Sequence, residues 1–108
     1  MGQINKDSAA LPVPPALNIV KPLDERLLGI DVSHWEGACD WQKLYKAGVR
    51  FMFAKATEST NFADVALKSH TDAARAAGVL IGAYHFLRSG DGLKQADWFL
   101  KTIAGMKF

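Results

Sequence analysis

The sequence predicts an α/β fold built on a parallel sheet, and three observations carry that prediction. An apolar run, a polar loop and a helical segment follow one another three times from Leu27 onward. Each run is short, rich in aliphatic and aromatic residues, and bounded by glycine or polar residues. That is the pattern of strands buried on both faces. Each helical segment opens at an aspartate and closes at a glycine, residue types that suit the two ends of a helix.

The elements follow in order. All four prolines, Pro12, Pro14, Pro15 and Pro22, lie in MGQINKDSAALPVPPALNIVKPLDER. They deny that stretch helical and ladder hydrogen bonds, so residues 1–26 read as an extended N-terminal arm or linker. Leu11, Val13, Leu17, Ile19 and Val20 exceed what a spacer needs, so a strap across a neighbouring surface stands beside simple disorder. Residues 27–108 form the domain, with its first strand over Leu27–Val32. Asp40 caps a helix with Trp41, Leu44 and Tyr45 on one face, closed by Gly48. The second strand runs over Val49–Glu58. Asp64 caps the next helix, which carries Val65, Ala66, Ala73, Ala74 and Ala77 to Gly78. The third strand covers Val79–Phe86. Asp91 opens a last helix with Leu93, Ala96, Phe99, Leu100 and Ile103 on one stripe, ending at Gly105. Strands and helices in alternation imply right-handed crossovers.

Composition removes several function classes. The chain of 108 residues is one domain in size, with 49% hydrophobic and 22% charged residues, a globular balance. A net charge of +2, with scattered lysines and arginines, argues against a nucleic-acid partner. No run approaches the roughly 18 apolar residues that span a bilayer. The N-terminus lacks the basic start and uninterrupted apolar core of a secretory signal, which leaves release by lysis or another export route. Cys39 stands alone, which rules out an internal disulfide framework and leaves it as a packing residue.

Loops that follow parallel strands emerge on one face, where ligand sites gather. Here all three strand ends are chemically loaded. The first offers Asp31, Ser33, His34 and Trp35, the second Lys55, Thr57 and Glu58, the third Tyr84 and His85. The opposite ends carry nothing comparable. Asp31 and Glu58 could divide acid work from base or nucleophile work. Equally, Asp31 could be a buried carboxylate held by backbone amides or by Lys55. His34 and His85 fit no metal-ligand spacing, and no phosphate or dinucleotide loop opens a helix, so neither metal nor cofactor is expected. Ser33 lacks a nucleophile elbow. Trp35 and Tyr84 offer faces to a sugar ring, whereas core packing is the preferred role for Phe86. His70 lies within the second helix with no partner nearby in sequence and reads as surface or core filler.

GIDVSHWEG, DWQKLYKAGVRFMFAKATEST and AAGVLIGAYHF resemble, in order and spacing, the glycoside hydrolase family 25 lysozymes, muramidases of bacteria, phages and some fungi. The resemblance runs from about Leu28 to about Leu100. It implies a modified TIM-like (β/α) barrel that cleaves the β-1,4 bond between N-acetylmuramic acid and N-acetylglucosamine in peptidoglycan, without a metal. By position, Asp31 is similar to the family's first-strand active-site aspartate, which would steer the substrate's N-acetyl group or stabilise oxocarbenium-like charge. The KATE and YHF motifs would line the groove with Lys55, Glu58, Tyr84 and His85, beside His34 and Trp35. Ser59 stands where the family usually has glycine, which implies an altered loop conformation.

The family's general acid is the glutamate of an Asp-x-Glu on the fourth barrel strand. No Asp-x-Glu occurs in the last third of this sequence; Asp91 and Asp97 belong to the third helix and its start. The resemblance therefore implies the first three βα units of an eight-stranded barrel, a truncated form. Three units cannot close a barrel, so association with copies of itself or with the missing half is expected. Two functions follow: part of a peptidoglycan hydrolase acting on glycan strands, or a catalytically incomplete half-barrel that binds glycan or self-assembles.

Overall fold

The computed structural model describes residues 26–108, so the expected arm lies, up to residue 25, outside the described residues. The elements are β1 (Leu28–Val32), α1 (Trp41–Lys46), β2 (Val49–Glu58), β3 (Phe62–Ala63), α2 (Leu67–Ala76), β4 (Leu80–Phe86) and α3 (Gly92–Ile103). The three expected strands are present, with ends shifted by no more than one residue. β2 is the centre of the sheet. It pairs in parallel with β1 on one side and β4 on the other. Parallel neighbours need crossovers, which the segments bearing α1 and α2 supply. Neither β1 nor β4 has another strand on its outer edge among the described residues, so the sheet is an open barrel fragment.

β3 was not legible as an apolar run because it is two residues long. It pairs antiparallel with the end of β2, Thr57 against Ala63 and Glu58 against Phe62. The Trp98 Nε1–H of α3 donates to the Phe62 carbonyl at 2.8 Å and ties this hairpin to the helix layer. Ser59 starts the hairpin turn at φ 56, in the left-handed region. The loop is shaped as a glycine would shape it, and the serine Cβ carries the crowding.

The helices cover one face of the sheet. Val32, Trp41, Val49, Met52, Ala54, Ala56, Leu67, Ala74 and Val79 form the buried core between them. Full burial of a side chain such as Met52 contributes about 1.5–3 kcal/mol. Asp40 caps α1 as expected, its carboxylate accepting from Lys43 N at 3.1 Å. Asp91 caps α3 in the same way through Lys94 N at 3.0 Å. Two helix expectations are corrected. The residue before α2 is Ala66, which makes no side-chain cap; Asp64 lies two residues further back and bonds the Ala66 amide. On α3, Phe99 and Ile103 reach the core, but Leu93 is 82% and Leu100 61% exposed, and the buried residue is Gln95. Polar partners on β4 and its following loop hold that glutamine inward.

The other face departs from the expectation of burial on both sides. Gly29 and Gly82 leave room for the Phe51 and Phe53 rings, which lie where a Cβ would stand. Phe53 is nevertheless 46% and Leu80 70% exposed. In a closed barrel this face packs against the inner faces of the remaining strands; here it stays open.

Replacing Ser59 by glycine removes the left-handed strain at the cost of backbone entropy. The expected outcome is a gain of about 0.5–1 kcal/mol, read as a raised denaturant midpoint with unchanged m-value. A lowered midpoint would show that the serine side chain contributes more than its strain.

Candidate active site

The open face carries the site. In register, Asp31 lies opposite Phe53, and Phe53 opposite Gly82. Two residues further along, Lys55 lies opposite Tyr84. Side chains repeat every second residue on a strand, so Asp31, Lys55 and Tyr84 share one face. A register shift between Lys55 and Thr57 then changes the alternation. Glu58, three residues from Lys55, comes to the same face, opposite Phe86, while Thr57 and His85 pair on the helix side.

Glu58 is clamped. Lys55 Nζ, its side chain 7% exposed, donates to Oε1, and Arg88 Nε donates to Oε2 at 2.7 Å. These hydrogen bonds, from Lys55 first and Arg88 second, hold the Glu58 carboxyl below its ordinary value. Glu58 is thus an ionised acceptor rather than a proton donor. The Phe86 ring lies 5.0 Å from Lys55 Nζ and 5.2 Å from Arg88 Cζ. It is 46% exposed, a rim residue instead of the core residue expected. The alternative of Asp31 as a buried carboxylate held by Lys55 is also overturned: Asp31 is exposed and Lys55 turns to Glu58. Burial pushes the Tyr84 phenol up, and the negative charge of Asp31 adds to the shift. Tyr84 therefore remains protonated, on the face that also carries Asp31.

Beyond Val32 the chain makes a 3₁₀ turn, His34–Glu36. Ser33 Oγ accepts from Trp35 N at 3.1 Å, and Glu36 Oε1 accepts from Ser33 N at 2.6 Å. The Ser33 amide is the main cause of a lowered Glu36 carboxyl. His34 N and Nδ1 both donate to Asp64 Oδ2, at 3.1 and 2.7 Å, and Ala66 N donates to Oδ1 at 2.9 Å. Burial pushes the Asp64 carboxyl up, and these hydrogen bonds outweigh it, so the group lies below its ordinary value. Asp64 thus ties the loop after β1 to the loop after β3, and it reaches the start of α2 only through the Ala66 amide. Trp35 stands 81% exposed beside His34, ring centroids 4.7 Å apart.

His85 is not brought to the open face. Its Nδ1 meets Thr57 Oγ1 at 2.7 Å and its Nε2 meets Gln95 Oε1 at 2.8 Å. Gln95 also accepts from Arg88 N and donates to Arg88 O, so His85 and Gln95 support the loop whose arginine clamps Glu58. His70 proves to be a core residue. It is 3% exposed, edge-on to Trp41, and its Nε2 meets the Ser33 carbonyl at 2.9 Å. Sequence reasoning missed Asp64, Arg88, Gln95 and Phe62. Asp64 carried a signal, an unsatisfied acid before a helix, but its partner lies thirty residues upstream.

This arrangement defines a class: a (β/α)-barrel sheet with charged and polar side chains gathered at the carboxyl ends of its strands. The profile described as Glycosyl hydrolases family 25 matches residues 30–108, and the chain belongs to that family. It is 43% identical over 79 residues to lysozyme M1 of Streptomyces globisporus, covering 71% of this chain and 27% of that protein. To an N,O-diacetylmuramidase of Chalaropsis sp. it is 34% identical over 82 residues, 71% of this chain and 39% of that one. Among solved structures it superposes on a bacterial lysozyme from Streptomyces coelicolor with TM-score 0.63 and 44% identity, covering 68% of this chain and 35% of that one. A family 25 glycosyl hydrolase from Bacillus anthracis gives TM-score 0.67 at 34% identity, covering 73% and 37%. The chain thus matches roughly a quarter to two fifths of each of these relatives.

Glu36, Glu58 and Asp64 all have folded pKa values below their ordinary ones. At acid pH the unfolded chain therefore binds more protons than the folded one. Their contribution to stability is present above the unfolded values, about 3.9–4.3, and is lost as pH falls through the folded values. Urea midpoints should hold between neutral pH and about pH 5 and fall below it. Asp64→Asn should flatten part of that acid limb; an unchanged limb would show that Asp64 contributes nothing to it.

Proposed function

We propose that this chain supplies the Asp31 side of the catalytic groove of a lysozyme. The reaction is hydrolysis of the β-1,4 bond between N-acetylmuramic acid and N-acetylglucosamine, with peptidoglycan glycan strands as substrate. The observation that carries the reading is the open face itself. A family 25 chain gathers an exposed Asp31, a protonated Tyr84 and the Lys55–Glu58–Arg88 clamp at the carboxyl ends of its strands. Asp31 would stabilise positive charge at the anomeric centre, and Tyr84 would donate to substrate oxygen. His34, Trp35 and Lys55 would position the glycan, with His85 acting through Thr57 and Gln95.

Glycosidic cleavage needs a second carboxyl group that gives a proton to the leaving oxygen. Glu58 is unsuited, since two cations hold it ionised. The acid must then come from barrel strands beyond those described, joined to the open edges of β1 and β4. The working particle is thus this half-barrel completed by complementary strands. A second reading, a glycan-binding or self-assembling module, draws on the exposed Phe53 and Leu80 of the same face. Either way the cell wall is the place of action, reached on lysis or by export.

Reducing-end release from purified peptidoglycan tests the proposal. The chain alone should release nothing. Mixed with the remaining barrel segment of a family 25 relative it should release sugar, at a rate that Asp31→Asn lowers by about 10²-fold or more. Release by the chain alone, or release indifferent to Asp31, would refute the assignment. Sedimentation separates the second reading: a stable homo-oligomer that is inert with the complement and binds glycan favours the module.

A further inference from the structure

Arg88 is exposed, yet it is held at both ends. Its backbone N–H donates to Gln95 Oε1 at 3.0 Å, and its carbonyl accepts from Gln95 Nε2 at 2.7 Å. Gln95 is itself 1% exposed. The side chain is fixed as well. Its Nε donates to Glu58 Oε2 at 2.7 Å, and its Cζ lies 5.2 Å from the centre of the Phe86 ring. The guanidinium thus uses its Nε–H, while the N–H groups on Nη1 and Nη2 have no partner among the described residues. Burial orders the charges around it. The Lys55 side chain is 7% exposed, that of Glu58 19% and that of Arg88 59%. Two cations meet one carboxylate, so the cluster keeps one positive charge, and its outermost member carries it. The other carboxylate of the face, Asp31, lies opposite Phe53, five residues before Glu58 on β2, and so stands back along the sheet from Arg88.

We propose that the Nη edge of Arg88 is a carboxylate-binding site, and that it selects glycans carrying an acidic side arm. A guanidinium presents parallel N–H groups that fit the two oxygens of a carboxylate. Here the fork is ordered before any ligand arrives, since Gln95 fixes its backbone and Glu58 with Phe86 fixes its plane, so little freedom is lost on binding. Glu58 keeps the buried Lys55 as its partner, so the incoming anion need not compete for the same charge. A neutral sugar hydroxyl gains less from the fork, because its hydrogen bond lacks the assistance of a second charge. The inference rests on the proposed peptidoglycan substrate and deepens it. N-acetylmuramic acid differs from N-acetylglucosamine by a lactyl ether, which ends in a carboxylate or in the peptide joined to it. Arg88 would read that acidic arm of a muramyl unit, away from the bond at Asp31.

The test uses the whole chain at low ionic strength, followed by ¹H–¹⁵N spectra of the backbone amides and the arginine Nε–H groups. The probes are N-acetylglucosaminyl-N-acetylmuramic acid, its methyl ester, the same disaccharide bearing L-alanyl-D-isoglutamine, and N,N′-diacetylchitobiose. The free acid should bind about tenfold more tightly than the ester or the chitobiose and should shift the Arg88 Nε–H resonance. The dipeptide form carries its carboxylate further out: binding as tight as the free acid assigns the peptide's acid to the fork, and weaker binding assigns the lactyl group. Arg88→Gln should bring acid and ester within about twofold of each other. Arg88→Lys should restore only part of the preference, since an ammonium supplies charge without the planar fork. Equal binding of acid and ester by the unaltered chain overturns the proposal; Tyr84 amide shifts with both would leave the reading of the open face intact. A preference that Arg88→Gln leaves unchanged, or that Arg88→Lys restores in full, also overturns it. Absence of any shift with every probe overturns both.

Discussion

The register shift in β2 between Lys55 and Thr57 sets the character of the whole site. In an unbroken strand, residues three apart face opposite sides, so an ammonium at 55 could not meet a carboxylate at 58 on the open face. The shift brings them together and, in the same step, turns Thr57 and His85 toward α3. One local irregularity thus separates two polar layers. The outer layer is Lys55, Glu58 and Arg88, on the open face. The inner layer is Thr57, His85 and Gln95, on the helix side, with Thr57 and Gln95 buried. The inner layer holds the Arg88 loop and the outer layer uses it. Buried polar networks of this kind are stable only when each member is satisfied, and Gln95 meets that condition with bonds to His85 and to both backbone groups of Arg88.

Electrostatics then divides the carboxylates. Glu58 and Asp64 are both lowered, but by different partners and for different ends. Glu58 is neutralised by two cations on the open face. Asp64 is satisfied by amides and an imidazole and serves as a knot between loops. Asp31 shares neither arrangement; it stands exposed on the face with Tyr84. The open face thus carries one exposed carboxylate, Asp31, and one carboxylate held by two cations, Glu58. That asymmetry agrees with a sheet whose outer edges carry no further strand among the described residues.

Much of the fold was legible in the sequence because it is encoded locally. The strands announce themselves as Leu27–Val32, Val49–Glu58 and Val79–Phe86, since short apolar runs between polar loops have few other uses. Asp40 and Asp91 cap helices because a carboxylate two or three residues before free amides has an adjacent partner. Asp31, Lys55, Glu58 and Tyr84 were legible as neighbours on one end of the sheet because they stand at strand ends that must emerge together. The three matching motifs carried the family.

What the tertiary structure alone decided concerns partners distant in sequence. Asp64 looks like a cap by the same rule that holds for Asp40, yet it is captured by His34 across the loops. His85 sits in a groove motif and points to α3, because the slip at Lys55 cannot be read from a strand's composition. Gln95 displaces leucines from the buried face of α3, since hydrogen bonds from the β4 end outweigh the apolar stripe. His70 finds its acceptor in the Ser33 carbonyl, thirty-seven residues away. Local sequence determines which conformations a segment prefers and which residues carry charge. The direction in which each charge is satisfied depends on which strand lies beside it, and only the assembled sheet specifies that.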